Sequence, residues 1–177
     1  MALSGFTKPY KALRNGGIQK LALILSSDVL NAEYDVEARA YTNLELQLNQ
    51  HFIVYEFRED EAEYQEKTEI TQGTTVVTHE LSFLLDRMCN ATAIAVSELI
   101  DSSFRGFIAI IQTFANETYL IGYSPEFGKQ RPLHVVQTSS TTGKRFSEPG
   151  SEIVVLQSTD TSKAYNLMMN IDDLLNN

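Results

Sequence analysis

The sequence predicts an α+β fold that is mainly β, a sandwich or barrel with one central helix and a second helix at the C-terminus. Two observations carry this prediction. Short segments rich in Val, Ile, Thr, Tyr and Phe recur along the chain, and Gly, Pro, Asn and Ser residues separate them. Apolar residues at helical spacing occur at residues 90–101 and again at residues 162–175.

The length and composition fit one folded domain with short terminal additions. A chain of 177 residues is long enough for one well-buried core and short for two. Its 43% hydrophobic and 21% charged residues are typical of globular proteins rather than disordered ones. We expect an N-terminal arm at residues 1–17, a β domain at residues 18–160, and a C-terminal helix or extension at residues 161–177.

The β domain is expected to contain a long hairpin. Its strands would be residues 55–67 and 74–85, and the turn signal Thr71-Gln72-Gly73 lies between them. The other segments expected as strands are residues 18–25, 44–48, 49–57, 104–114, 118–123, 133–138 and 152–157.

Both helices are predicted from periodicity. Asn90 is expected to cap the central helix at its N-terminus. In the C-terminal helix, Asp172 and Asp173 would oppose the helix dipole at the C-terminal end. The apolar residues expected on one side of this helix are Ala164, Leu167, Met168, Ile171, Leu174 and Leu175.

Charge and cysteine content argue against several classes of protein. A formal net charge of −9 is unfavourable for a nucleic-acid clamp, which relies on Lys and Arg placed against phosphates. The single cysteine, Cys89, leaves no disulfide framework and suits a reducing cytosol. We find no apolar run suited to a signal peptide or a membrane span, so we expect no membrane association.

Motifs that carry chemistry are missing from the sequence. His51, His79 and His134 lie far apart, and none belongs to a metal-binding motif. Residues 138–145 resemble a phosphate loop but lack its leading glycine, and Arg145 stands where a magnesium-binding hydroxyl should be. We therefore expect no catalytic residue, no metal and no cofactor, and we do not expect an enzyme.

The most informative charge feature is the acidic segment at residues 56–69. It holds seven Asp and Glu residues against Arg58 and Lys67, so its net charge is −5. A solvated strand or loop face, an acidic surface that lines a pore or faces a basic partner, and a cation site are all compatible with it. The candidate acidic surface consists of Glu59, Asp60, Glu61 and Glu63.

Four blocks in a fixed order carry a resemblance to a known family. They are YEFREDEAEY at residues 55–64, HELSF at residues 79–83, GYSPEFGKQRPL at residues 122–133 and TTGK at residues 141–144. With these blocks the chain resembles bacteriophage tail tube proteins and related tail ring proteins, of the type found in virion proteins of Bacteroidetes phages and prophages. The resemblance covers residues 16 to 165.

The resemblance implies a structural virion protein of the phage tail, made in the host cytoplasm. Its protomers would join by strand addition into rings, and the rings would stack into a conduit through which DNA passes without specific binding. Partners would be further copies and other tail or connector proteins. The candidate subunit-interface residues are Phe6, Tyr10, Leu13, Val76, Val77, Leu81, Phe83, Leu167, Ile171 and Leu174.

Two other functions are compatible with the sequence. One is a head-to-tail connector, a stopper or a capsid-associated protein, which would differ in ring symmetry and neighbours. The other is a β-barrel that binds a small ligand, because such barrels host many functions.

Overall fold

The computed structural model describes residues 16–86, 88–145, 148 and 150–175, with the backbone alone at Asp86. The helices are α1 (Asn90–Ser102) and α2 (Ile171–Leu175). The strands are β1 (Ile18–Leu25), β2 (Val29–Asp35), β3 (Ala40–Leu46), β4 (Ile53–Glu56), β5 (Ala62–Thr71), β6 (Thr74–Asp86), β7 (Phe107–Thr113), β8 (Thr118–Ile121), β9 (His134–Thr141), β10 (Ser151–Asp160) and β11 (Tyr165–Asn166).

A five-stranded sheet, the central sheet, organises the fold with strand order β11-β8-β7-β1-β4. Strands β1 and β7 are nearly continuous apolar runs, because both faces of this sheet are covered. Alternate side chains therefore enter two different cores. The first core takes Leu21, Leu23, Phe107, Ala109, Ile111 and Ile121, and the second takes Ala22, Ile24, Ile108, Ile110 and Leu120.

A four-stranded sheet, the outer sheet, covers one face of the central sheet. Its strand order is β5-β6-β10-β9, and every neighbouring pair is antiparallel. Leu81 and Phe83 of β6 and Leu156 of β10 point into the first core, which helix α1 extends with Val96 and Leu99. The two sheets and α1 thus form a sandwich.

The β2–β3 hairpin and the C-terminal segment cover the other face of the central sheet. Tyr41 of β3 is fully buried there, together with Leu167 and Ile171. The backbone also ties this segment down, because the N–H of Leu167 donates to the carbonyl of Thr118, and that of Met168 donates to the carbonyl of Tyr41. The C-terminal segment is therefore part of the folded core.

The predicted α+β, mainly β fold class is confirmed. Strand β1 begins and ends where the sequence predicts. The hairpin turn is also correct, because Gln72 and Gly73 both have positive φ, as a type I′ turn requires. The predicted range of the first hairpin strand, residues 55–67, is wrong. Strand β5 begins at Ala62, and residues 53–56 pair with β1 in the central sheet.

The C-terminal helix is much shorter than predicted. Residues 162–170 are not helical, because backbone hydrogen bonds to β8 and β3 take the place of a local helix. Since α2 begins at Ile171, Asp172 and Asp173 lie in its first turn, where they favour the helix dipole instead of opposing it. The apolar spacing reflects contact with the second core rather than one long helix.

The N-cap of α1 also differs from the prediction. Cys89 is the capping residue, and Asn90 is the first helical position. The Cys89 N–H donates to Oγ1 of Thr92, while the Thr92 hydroxyl lies 3.6 Å from the Cys89 sulfur. A thiol thus takes the place that Ser or Asp usually occupies.

Strand β2 was not predicted from the sequence. Its pairing with β3 contains register shifts between Val29 and Asn31 and between Glu33 and Tyr34. Such bulges break the alternation of buried and exposed residues on which sequence reasoning depends. The signal for this strand is therefore weak although Val29 and Ala32 are buried.

We predict that Ile171→Ala destabilises the protein strongly. The side chain is fully buried in the second core, so its truncation should lower the free energy of unfolding by about 2–5 kcal/mol. Urea unfolding measures this loss. Met168→Ala is the control, because Met168 is 66% exposed and its truncation should have little effect.

Candidate assembly interface

The outer sheet presents two long edges. Strands β5 and β9 lie at its ends, and among the described residues neither is paired on its outer side. Unpaired edges offer backbone N–H and C=O groups to another strand, so folded proteins usually cover or interrupt them. Strand β5 spans ten residues and β9 spans eight, which is long for unprotected edges.

The face of the outer sheet that points away from the first core is mostly polar. The pairing of Ala62 with Phe83 sets the inward positions, so the pair Glu63 and Ser82 and the pair Gln65 and Glu80 point outward. Strand β9 contributes Ser and Thr side chains that are exposed along its length. We call this surface the exposed face of the outer sheet.

Negative charge predominates on this face. Among its described side chains the charged groups of β5 and β6 are Glu63, Lys67, Glu69 and Glu80, a net charge of −2. The Lys67 ammonium lies 2.6 Å from the Glu69 carboxylate, so that this cation is partly neutralised. Exposed ion pairs of this kind add little stability.

The four predicted acidic residues all line one open cavity beside Gly16 and Gly17, but they belong to different parts of the turn and strand. Glu63 is on the exposed face of β5, whereas Glu59 and Asp60 lie in the turn before the strand, where Asp60 has φ +66°. Glu61 has a local role, because its carboxylate accepts a hydrogen bond of 2.7 Å from the Arg58 N–H. Within the described parts of the chain, no three His, Cys, Asp or Glu residues are grouped so as to hold a metal ion.

The predicted interface residues are mostly inside the chain itself. Val76 is 39% exposed and remains available at the surface. Phe6, Tyr10 and Leu13 lie outside the described residues. The chain's own packing buries the other six, which are Val77, Leu81, Phe83, Leu167, Ile171 and Leu174. In this fold these six side chains pack inside the chain rather than at its surface, because they help to cover the central sheet.

One member of the acidic segment is structural. The Glu66 carboxylate accepts hydrogen bonds from the N–H of Ala164 at 2.6 Å and from the Tyr64 hydroxyl at 2.8 Å. Burial, with a further contribution from Glu66, raises the pKa of Tyr64 above its usual value, so the hydroxyl keeps its proton. Glu66 thus fastens the C-terminal segment to β5.

His79 completes this network. It is buried on β6, its Nε2 lies 3.1 Å from the carbonyl of Ser162, and its Nδ1 lies 2.7 Å from the Tyr64 hydroxyl. Because a carbonyl can only accept, a neutral His79 carries its proton on Nε2, and its Nδ1 then competes with Glu66 for the single hydroxyl proton of Tyr64. The sequence alone does not show that His79 contacts the C-terminal segment, because His79 and Ser162 are far apart along the chain.

A second surface feature lies between α1 and β4. Here a cavity of about 500 Å³ opens beside the outer edge of the central sheet. Leu25, Ile53, Leu99 and Phe107 supply apolar lining. Sequence reasoning missed this cavity, because residues from β1, β4, α1 and β7 meet there only after folding.

Comparison with protein-family models and with curated proteins returns no match. No protein-family model fits the sequence, and no curated protein is significantly similar to it. In the part of the chain that the structure describes, we find no helix with the length and apolar character needed to cross a membrane.

We predict that the stability of the protein falls as the pH is lowered below about 6.5, the ordinary pKa of histidine. Burial lowers the pKa of His79, although Glu66, the Ser162 carbonyl and Asp160 oppose this effect. The unfolded chain therefore binds a proton more readily than the folded one, and protonation favours unfolding. Urea unfolding at several pH values measures the effect.

The comparison variant is His79→Gln, which cannot titrate but retains an amide able to donate and accept hydrogen bonds. This variant should lack the part of the pH dependence that His79 contributes. An identical pH dependence in wild type and His79→Gln would contradict the assignment.

Proposed function

We propose that this protein is a structural subunit of a phage tail tube or tail ring, which assembles with copies of itself into a ring through which DNA passes. The observation that carries the proposal is the outer sheet, with its two unpaired edges and polar exposed face. The resemblance of the sequence to tail tube proteins supports it. In this role the protein is made in the host cytoplasm and contacts other tail or connector proteins.

The number of strands in the outer sheet suits closure into a ring. Its four strands alternate in direction, so β5 and β9 run opposite to each other. When copies are related by rotation about an axis along the strands, β9 of one copy meets β5 of the next in antiparallel orientation. The antiparallel pattern then continues around the whole ring, and no edge remains.

The exposed face of the outer sheet would form the inner wall of this ring. Each copy contributes the net charge of −2 described above, and a ring multiplies it. A wall of the same sign as the DNA phosphates repels the polyanion and keeps it from adhering during passage. Glu59 and Asp60, in the turn at the end of the sheet, would lie at the rim towards an adjacent ring.

We predict that single prolines in β9 separate folding from ring formation. The backbone N–H groups of an edge strand point alternately outward and towards the partner strand. Of the two variants Gln137→Pro and Thr138→Pro, one therefore removes an outward N–H, and the other removes a hydrogen bond to β10. The first kind of variant should fold as a monomer with nearly unchanged thermal stability yet form no rings. The second should lose stability.

Negative-stain electron microscopy, native mass measurement and thermal unfolding on the same samples test this prediction. Wild-type protein should form rings or tubes. A wild-type protein that stays monomeric at high concentration would refute the proposal, as would normal rings from both proline variants.

We also predict that reversing charge on the exposed face makes the assembly bind DNA. The double variant Glu63→Lys and Glu80→Lys changes the net charge of this face from −2 to +2 per copy. Assembled rings should then retain duplex DNA in a gel-shift assay at low salt and release it as salt rises. Glu37→Lys with Glu45→Lys is the matched control, because both residues lie in the β2–β3 hairpin away from the outer sheet. Equal DNA binding by both double variants would contradict the inner-wall assignment.

A further inference from the structure

The cavity between α1 and β4 has the features of a peptide-binding site. Its apolar lining lies next to an unpaired strand edge, since within the described residues β4 pairs with β1 alone. Ile53 of β4 is 54% exposed beside the cavity. Extended peptides bind such places by adding backbone hydrogen bonds to the edge and placing side chains in the adjoining pocket.

The polar part of the cavity lining carries negative charge. Asp28 lies at one side, after β1, and Glu98 lies at the other side, on α1. The remaining titratable residues of the lining are His51 and Tyr55. An occupant with apolar side chains and positive charge would therefore complement this cavity.

Residues 1–15 of this chain combine apolar side chains with positive charge. The segment contains Phe6, Tyr10 and Leu13 together with Lys8, Lys11 and Arg14, and it has no acidic residue. Its formal charge is thus +3, while residues 16–177 carry 11 basic and 23 acidic residues, a charge of −12. Residues 127–145 also carry four basic residues and no acidic one, but that stretch is folded as β9 and its flanking loops.

The position of the cavity argues that the segment comes from another copy. Residues 1–15 join the fold at Gly16, next to the beginning of β1, whereas the cavity is lined by Leu23 and Leu25 at the end of the same strand. The two places are about 25 Å apart at roughly 3.3 Å per residue. A chain would have to reverse direction and run back along β1 to fill its own cavity, whereas a copy stacked end to end presents its segment directly.

We propose that residues 1–15 of one copy bind in the cavity between α1 and β4 of the next copy. An aromatic side chain of the segment fills the apolar part, and its basic residues approach Asp28 and Glu98. Because donor and acceptor lie at opposite ends of the protomer, the contact is heterologous and propagates without closing. The inference rests on the proposed ring, and it specifies how one ring stacks on another.

Disulfide trapping between full-length chains tests the proposal. The exposed Cys89 is first replaced by Ser, a favoured N-cap residue. One preparation then carries Phe6→Cys or Tyr10→Cys, and a second, size-tagged preparation carries Ile53→Cys. After mixing and mild oxidation, docking should give about ten-fold or more covalent heterodimer than a control mixture with Glu37→Cys in place of Ile53→Cys, because docking raises the effective concentration.

A yield no higher than in the control mixture would overturn the proposal. So would a chain carrying both cysteines that forms only an internal disulfide, because the segment would then occupy its own cavity. Asp28→Lys with Glu98→Lys should abolish stacking while single rings persist. Rings that stack normally in this variant would also overturn the proposal, whereas wild-type protein that forms no rings would overturn the ring itself.

Discussion

The fold depends on a central sheet that is buried on both faces. Strands β1 and β7 send alternate side chains into two cores, so neither face of the sheet can be left uncovered. The outer sheet with α1 covers one face, and the β2–β3 hairpin with the C-terminal segment covers the other. The outer sheet therefore has one face committed to the core, while its other face is exposed and its edge strands β5 and β9 are unpaired on their outer sides among the described residues.

The sequence predicts elements where periodicity is undisturbed. The sequence correctly predicts strand β1, helix α1 and the turn at Gln72 and Gly73, because local pattern and tertiary environment agree there. Strand β2 was missed because bulges interrupt its alternation, and the helix at residues 162–175 was overpredicted because its apolar spacing serves the second core. Local pattern shows that a residue is buried but does not show which element covers it.

The same limitation explains the candidate interface. Leu81, Phe83 and Leu167 were identified as apolar residues of elements expected at an interface, yet they lie in the chain's own cores. Glu66 was counted as surface charge, although its contacts to Tyr64 and Ala164 lie on the core side of β5. Such roles depend on residues that are distant in sequence, and a single sequence carries no signal for them.

The C-terminal segment has a consequence for the order of events during synthesis. Ile171 and Leu174 complete the core that Ala22 and Ile24 begin, and the Lys20 ammonium lies 2.7 Å from the Asp172 carboxylate. Strand β1 is thus synthesised well before the residues that cover its second face. A nascent chain cannot finish the central sheet until β11 has been made, and it cannot cover the second face until Ile171 and Leu174 follow. Until then Ala22, Ile24 and Ile110 have an incompletely covered apolar face, so a chain cut short before Ile171 exposes part of the second core to water.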